Sequence, residues 1–350
     1  MAASREVVPA LLGVASRLWF NPHMQHTALG STGMQVSRLC LGSMGFGWTA
    51  SERESFSVMD AFADAGGNFI DTADVYSRWL PGHKGGEAET IIGRWMKQRG
   101  NRGEMVIATK VRGEMWPGPD GQGLSRQHIA RAVEDSLRRL QTETIDLYQC
   151  HWFDDAVPIE ETLRAMEDLI KAGKVRRIGL SNFPAPLIRA ALNVSARHGL
   201  PRFETLQPHH SLVHRAEWEG ELQQLCLAEN FGVIPYSPLA SGFLTGKYEP
   251  GAAKVSSQRA NAVKQYFTPD GWRTLDAVRE TAKSRGTSCS AVALAWQLAQ
   301  PGITAPIVGA NSPAQLAEQI PALSLELSKV ELDALNAVSQ PFLTPAPTGQ

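Results

Sequence analysis

Short apolar runs alternate with amphipathic segments of helical length from residue 25 onwards, and this alternation constrains the fold more than any other feature. Each apolar run is bounded by Gly or polar residues, which is typical of a buried strand. Alternation of strand and helix repeated eight times, without a break in composition, predicts a single closed (β/α)8 barrel. The predicted strands lie at residues 38–42, 68–73, 105–110, 145–151, 175–182, 205–210, 232–238 and 304–310.

The segments between the strands carry helix signals. Ser125 is a predicted N-cap, and the helix that follows it has an apolar stripe of Ile129, Val133, Leu137 and Leu140. A second striped segment starts at residue 159 and is expected to stop at Gly173. A doubly wound sheet is the alternative fold, but "LGSMGFG" at 41–47 has the wrong glycine spacing for a dinucleotide-binding turn.

The folded domain is expected to span residues 24–340. A hairpin around residues 30–33 precedes the first barrel strand and is expected to plug the N-terminal end of the barrel. Residues 1–23 contain the apolar run "VVPALLGVA" without a clear small-x-small cleavage site, and we interpret them as a flexible extension. The Pro-rich residues 341–350 are interpreted as a flexible tail.

Charge and cysteine content exclude several functional classes. The 34 basic and 35 acidic side chains give a net charge of −1, with no excess that would indicate nucleic acid or an anionic membrane as a partner. No apolar run reaches the roughly 18 residues expected of a membrane span. The four cysteines are far apart and lack CxxC spacing, which fits a reducing cytoplasm and argues against a metal cluster.

Polar side chains follow consecutive predicted strands at their C-terminal ends, where barrel enzymes keep their chemistry. Asp71 ends the second strand, Lys110 the third and His151 the fourth, and Tyr76 lies in the loop beyond Asp71. Taken singly, each has an ordinary explanation as a cap, a solvated charge or a packed side chain. Their succession at neighbouring strand ends, continued by Ser181, Asn182, Gln207, Tyr236 and Ser237, instead predicts a common cavity.

The four leading residues suit acid–base chemistry. A buried ammonium stabilises a phenolate, so Lys110 is predicted to lower the pKa of Tyr76. Asp71 is expected to pair with Lys110 and keep it charged despite burial. His151 can hydrogen-bond a substrate oxygen, while Tyr76 protonates a developing alkoxide and takes the proton back in the reverse direction. Since none of these side chains carries a hydride, a nicotinamide cofactor is the expected electron source.

The same residues lie in motifs that resemble the aldo-keto reductase superfamily over residues 25–340. The motifs occur in the family's order: "GGNFIDTADVY", "VIATKV", "IDLYQCHW", "IGLSNF", "YSPLASGFLTGKY" and "PIVGA". The resemblance implies a (β/α)8 barrel, in agreement with the strand count, and a catalytic tetrad of Asp71, Tyr76, Lys110 and His151. Within the superfamily, the motifs resemble the long-loop branch, which includes bacterial reductases and potassium-channel β subunits.

The resemblance also implies contacts with a nicotinamide nucleotide. Ser181, Asn182 and Gln207 would hold the carboxamide, and Tyr236 would stack on the nicotinamide ring. The remaining implied contacts are Ser237, Leu239, Ala240 and Gly242 at the pyrophosphate, and Gly309, Asn311, Gln315, Glu318 and Gln319 around the adenosine.

Cofactor preference depends on basic residues near the adenosine ribose. Short-loop reductases carry a Lys and an Arg where this chain has Gly309 and Gln315. The long-loop branch uses basic residues of its long loop, here residues 239–271, and Lys247 and Arg259 match that pattern, although both also fit ordinary solvated charges. NADPH is therefore expected over NADH. The long loop has few large apolar residues, so we expect little core to anchor it and expect it to close over the pyrophosphate.

The substrate is less defined. The loop at 77–89 is expected to overhang the mouth, with Phe46, Trp48, Trp79 and Trp152 as candidate pocket walls. Aromatic walls suit sugars, steroids and polycyclic ketones alike. The leading function is reversible reduction of an aldehyde or ketone to an alcohol, by a monomer or homo-oligomer without a metal.

Two other classes of function stay open. One is a nucleotide-binding regulatory subunit similar to the channel β subunits. The other is a metal-dependent barrel hydrolase or isomerase, for which only His151 and Asp71 offer ligands at strand ends.

Overall fold

The computed structural model describes residues 24–251 and 260–344. In these two ranges every predicted strand is present, together with an N-terminal hairpin. The strands are β1 (His26–Ala28), β2 (Gln35–Ser37), β3 (Cys40–Gly42), β4 (Phe69–Asp71), β5 (Val106–Val111), β6 (Ile145–Cys150), β7 (Val175–Ser181), β8 (Thr205–Gln207), β9 (Gly232–Val233) and β10 (Ile307–Val308).

Helices alternate with these strands along the chain. Within the described ranges no helix is both long and apolar enough to cross a membrane. The helices are α1 (Glu52–Asp64), α2 (Glu87–Arg99), α3 (Arg126–Leu140), α4 (Ile159–Lys171), α5 (Ala185–His198), α6 (Glu221–Ala228), α7 (Ala260–Val263), α8 (Pro269–Arg285), α9 (Cys289–Leu298), α10 (Pro313–Ala317) and α11 (Lys329–Val338).

The barrel is one parallel sheet of eight strands in the order β10-β3-β4-β5-β6-β7-β8-β9. Its two end strands also meet, because the amides of Thr304 and Ile307 donate to the carbonyls of Val233 and Pro235 at 2.9 and 2.8 Å. The sheet therefore closes on itself, and the predicted (β/α)8 barrel is confirmed. The doubly wound alternative is wrong, since an open sheet would leave β9 and β10 as unpaired edges.

Strand alternation sorts side chains between the barrel interior and the helices. Phe69, Ala108 and Leu147 point inwards and form one apolar cluster with Leu29 and Val36 of the hairpin region. The predicted hairpin is thus present, with β1 and β2 antiparallel, and its apolar side chains cover the N-terminal end of the barrel. That packing leaves the C-terminal end as the open one.

Two helix boundaries agree with the sequence signals. Ser125 caps α3, its side chain accepting a hydrogen bond from the His128 amide. The stripe residues Ile129, Val133 and Leu140 of α3 are buried completely. Helix α4 ends at Lys171 and the chain turns at Gly173, whose φ of 71° suits glycine.

The C-terminal boundary differs from its prediction. Residues 340–343 form a 3₁₀ helix, and the Phe342 carbonyl accepts hydrogen bonds from the amides of Arg215 and Ala216 at 3.2 and 2.9 Å. Residues 341–343 therefore belong to the folded domain, because Phe342 also packs against the main core. The predicted extension at 1–23 and the end of the tail at 345–350 lie outside the described residues.

The described part of the long loop is more firmly packed than its composition suggested. Phe243 and Leu244 are fully buried, and the Phe243 ring contacts those of Tyr266, Phe267 and Trp272 at centroid distances of 5.8, 5.9 and 5.3 Å. The expectation of little anchoring core was therefore wrong for this part of the loop. Residues 252–259, including Arg259, lie outside the described residues.

Candidate active site

The strand register brings the predicted polar residues to one level inside the barrel. Asp71 pairs with Ala108 across β4 and β5, while Lys110 pairs with Gln149 across β5 and β6. Side chains alternate along a strand, so Lys110 points the same way as the inward Ala108 two residues earlier. Asp71 and Lys110 therefore converge at the C-terminal end of the barrel, as predicted.

Lys110 is the centre of the site and is completely buried. Its Nζ donates to Asp71 Oδ2 at 2.7 Å, to the Thr72 carbonyl at 2.7 Å and to Tyr76 OH at 2.9 Å. These three contacts use all three ammonium donors. The lysine is consequently held in one position, with the Tyr76 hydroxyl as its contact towards the cavity.

The ion pair is supported on the Asp71 side as well. Asp71 Oδ1 accepts hydrogen bonds from Gln207 Nε2 at 2.8 Å and Gln149 Nε2 at 3.3 Å. Burial alone would lower the pKa of Lys110, but the charge of Asp71 and the contact with Tyr76 outweigh it and raise that pKa. Lys110 is therefore charged at neutral pH, as expected from the sequence.

The pKa of Tyr76 differs from the sequence prediction. Burial raises the pKa of this phenol, and the Lys110 ammonium, which acts to lower it, offsets only part of that rise. The charge of Asp71 adds a smaller contribution that also raises the pKa of Tyr76. The neutral, proton-bearing phenol is therefore the form present at neutral pH.

His151 lies beside Tyr76, with 6.0 Å between the two ring centroids. Its imidazole stacks on Trp152 at 3.7 Å. Burial and the nearby charges of Lys110 and Arg112 hold the pKa of His151 well below its usual range. The ring is therefore neutral at physiological pH and carries one N–H donor rather than a positive charge.

Ser181, Asn182, Gln207 and Tyr236 form a second linked group next to the first. Tyr236 OH donates to Asn182 Oδ1 at 2.9 Å, and Asn182 Nδ2 donates to the His151 carbonyl at 2.9 Å. Ser181 Oγ donates to the Gln207 carbonyl at 3.0 Å. Asn182 has a φ of 59°, a left-handed conformation that non-glycine residues favour little and that often marks a functional position.

A cavity of about 1040 Å³ opens over these residues. A cavity of this size lies at the large end of the range for ligand pockets. Most of the predicted cofactor residues line it. They are Ser181, Asn182, Gln207, Tyr236, Ser237, Leu239, Gly242, Lys247, Gly309, Asn311, Gln315, Glu318 and Gln319, and Asp71, Tyr76, His151, Trp79 and Trp152 belong to the same lining.

Three residues that were predicted as cofactor contacts or pocket walls lie away from the cavity wall. Phe46 is completely buried in the main core, so its place as a pocket wall was wrong. Ala240 is also fully buried. Trp48 is absent from the cavity lining, but its ring meets that of the lining residue Trp79 edge-on at 5.2 Å.

The backbone beside the long loop has an unusual conformation. Ser237, Ala240, Ser241 and Gly242 have φ values of 56°, 49°, 56° and 91°. Turns that contain left-handed residues can gather backbone N–H groups into anion-binding concavities, although the amides of Ala240 and Gly242 already donate to the carbonyls of Ser237 and Leu239 at 2.9 Å each. Lys247 lines the same end of the cavity. The chemistry here therefore fits the phosphates of a nucleotide.

Several residues of the site were missed by sequence reasoning. Gln149 supports Asp71, and its inward direction follows from its separation of two from Leu147, so strand parity could have found it. Met44, Thr49 and Thr245 also line the cavity. They come from loops, which carry no periodic signal.

Comparison with known proteins places this barrel among oxidoreductases. The sequence profile described as "Aldo/keto reductase family" matches residues 38–340, and the chain belongs to this family.

Curated relatives agree with the family assignment. An uncharacterized oxidoreductase, YrpG, of Bacillus subtilis (strain 168) is 39% identical over 90% of this chain and 96% of its own length. Protein tas of Escherichia coli (strain K12) is 34% identical over 93% of this chain and 100% of its own length. A probable voltage-gated potassium channel subunit beta of Oryza sativa subsp. japonica is 34% identical over 91% of this chain and 97% of its own length.

Proposed function

We propose that this chain is an NADPH-dependent reductase that converts an aldehyde or ketone to an alcohol, reversibly, with Tyr76 as the general acid and base. One observation carries the proposal. The Tyr76 hydroxyl borders an open cavity while lying 2.9 Å from an ammonium that Asp71 keeps charged. A neutral phenol next to a fixed cation can give up its proton at the moment when negative charge develops on a substrate oxygen.

The residues of the site have complementary roles in this reaction. When bound, a nicotinamide nucleotide supplies the hydride. Tyr76 gives its proton to the carbonyl oxygen, and Lys110 stabilises the phenolate that remains. Asp71 holds Lys110 in place and keeps it protonated. The neutral His151 donates its single N–H to the substrate oxygen and so orients it. A protonated ring would be more strongly solvated and would orient the oxygen less selectively.

Nucleotide binding is assigned to the residues along the rest of the cavity. Ser181, Asn182 and Gln207 offer the amide and hydroxyl groups that suit a carboxamide, and Tyr236 offers a ring face. Ser241, Gly242 and Lys247 line the cavity and suit phosphates. Asn311, Glu318 and Gln319 line the same cavity and offer polar groups that suit an adenosine.

The direct test of this function is NADPH oxidation followed at 340 nm with a panel of aldehydes and ketones. Oxidation that requires both protein and carbonyl is expected. Tight NADPH binding without turnover of any panel member would contradict the reductase assignment.

A regulatory nucleotide-binding subunit is the second candidate. It is favoured by the 34% identity to a protein named as a probable potassium channel subunit beta. The complete Lys110–Asp71–Tyr76 contact set supports the reductase instead, because a binding role does not need a proton donor. The same 340 nm experiment separates the two.

Replacing Lys247 by alanine is expected to weaken NADPH binding about tenfold and NADH binding much less. A charge-assisted contact is worth about 1.5–3 kcal/mol, and the exposure of Lys247 favours the lower end. Titration by nucleotide fluorescence measures both affinities. Lys283→Ala, in the last turn of α8, is the matched control and should change neither. Equal losses for the two nucleotides would move the phosphate contact elsewhere, for example to Arg259.

A further inference from the structure

Two histidines and a glutamate cluster on the loop that follows β8, behind the cavity wall. The His209 ring lies between two other rings, with centroids 3.6 Å from His214 and 4.8 Å from Tyr236. Glu217 Oε1 lies 3.1 Å from His214 Nε2. The imidazole nitrogens and the carboxylate of these three residues all lie within 4.8 Å of one another.

The two imidazoles leave polar atoms unsatisfied. The Nε2 atoms of His209 and His214 are both buried, and neither makes a hydrogen bond with any described residue. The approach of Glu217 to His214 is close but lacks hydrogen-bond geometry. A buried polar atom without a partner costs about 1–3 kcal/mol. Two of them side by side, facing a carboxylate, indicate that something else completes this cluster.

We propose that His209, His214 and Glu217 form a binding site for one divalent transition-metal ion. Two imidazoles and a carboxylate suit Ni²⁺, Zn²⁺ or Cu²⁺, whereas Mg²⁺ and Ca²⁺ prefer oxygen ligands alone. Three protein ligands leave at least one coordination position for water. The ion would satisfy both buried nitrogens and neutralise Glu217 at the same time.

Binding of one ion requires side-chain movement. Two ligand atoms at about 2.1 Å from a tetrahedral ion lie roughly 3.4 Å apart, so a separation of up to 4.8 Å closes with a combined shift of roughly 1.4 Å. The lone pairs of two parallel imidazoles do not converge on one point, so His214 must turn out of the stack while His209 stays on Tyr236. His214 and Glu217 have room for this, because their side chains are 28% and 61% exposed.

The location gives the site a route to the cavity. His209 stacks on Tyr236, which is a wall of the cavity and is bonded to Asn182. An ion that holds the His209 ring in place would also restrict the movement of the Tyr236 ring against which it stacks. The site uses no residue of the Lys110–Asp71–Tyr76 group, so metal binding and the proposed reductase activity can be tested independently.

Isothermal titration of the full-length chain with NiCl₂, after removal of any histidine tag, tests the proposal. Ni²⁺ is the better probe than Zn²⁺ because thiolates compete for Zn²⁺ and Cys289 is only partly buried. One ion per chain is expected. His209→Gln and Glu217→Gln should each weaken binding at least about tenfold, since even residues that only support a metal ligand contribute 10–100-fold.

His198→Gln is the matched control, because His198 also faces a glutamate, Glu160, at 3.4 Å. The His198→Gln variant should bind Ni²⁺ with the affinity of the wild type. Glu217→Gln guards against misfolding, since this largely exposed side chain changes without loss of volume. Wild-type affinity in both ligand variants, or no stoichiometric binding by the wild type, would overturn the site.

Discussion

Replacing Tyr76 by phenylalanine is expected to lower turnover about 10²–10⁴-fold while leaving NADPH affinity nearly unchanged. The loss is that of a general acid, because the phenol is the neutral proton carrier that contacts Lys110 at 2.9 Å. The ring itself remains, so the cavity keeps its shape. Initial rates at 340 nm give the turnover, and fluorescence titration gives the nucleotide affinity.

Tyr148→Phe is the matched control for this change. Tyr148 is completely buried on the outward side of β6, and its hydroxyl makes no hydrogen bond with the described residues. Removing that hydroxyl should leave turnover within a factor of about two, since surrounding packing is retained. Carbonyl reduction at the wild-type rate by Tyr76→Phe would show that the proton comes from elsewhere.

Replacing Lys110 by methionine is expected to destabilise the fold by about 3–5 kcal/mol and to remove measurable turnover. The substitution leaves the Asp71 charge buried without its counter-ion, and breaking a buried pair on one side carries this cost. Both partners are almost fully buried here, so solvent cannot compensate. Urea unfolding, extrapolated to water, measures the free energy of unfolding.

Two further variants separate the charge effect from the loss of a side chain. Lys171→Met breaks an exposed pair with Glu167 and should cost less than about 1 kcal/mol. Asp71→Asn combined with Lys110→Met removes both charges and should recover part of the lost stability without recovering turnover. A single Lys110→Met variant as stable as Lys171→Met would contradict the buried ion pair.

The barrel and the core of the candidate site were predictable because both follow from local periodicity. Strand-length apolar runs at regular spacing specify parallel strands, and parallel strands end at a common rim. Asp71 is the last residue of its strand, Lys110 is the last but one, and His151 directly follows its strand. Their convergence therefore needs only the strand order, which the right-handed βαβ connection determines.

The outcomes that the sequence left open depend on burial and on contacts between distant segments. The pKa of Tyr76 is raised rather than lowered, since desolvation by the whole barrel outweighs one nearby charge. Phe46 lies in the core instead of the pocket, and the long loop is anchored through Phe243 by aromatic rings that lie more than twenty residues later. Local sequence patterns carry no information about contacts between segments that lie so far apart in the chain.

The sequence by itself thus determined the eight-stranded alternation, the hairpin and the identity of the polar residues at the strand ends. Only the tertiary structure decided how far each group is buried, which hydrogen bonds Asp71 receives from Gln149 and Gln207, and that His209, His214 and Glu217 meet behind Tyr236. The physical reason is that periodicity sets the direction of a side chain, whereas its desolvation and its partners are set by segments far away in the chain.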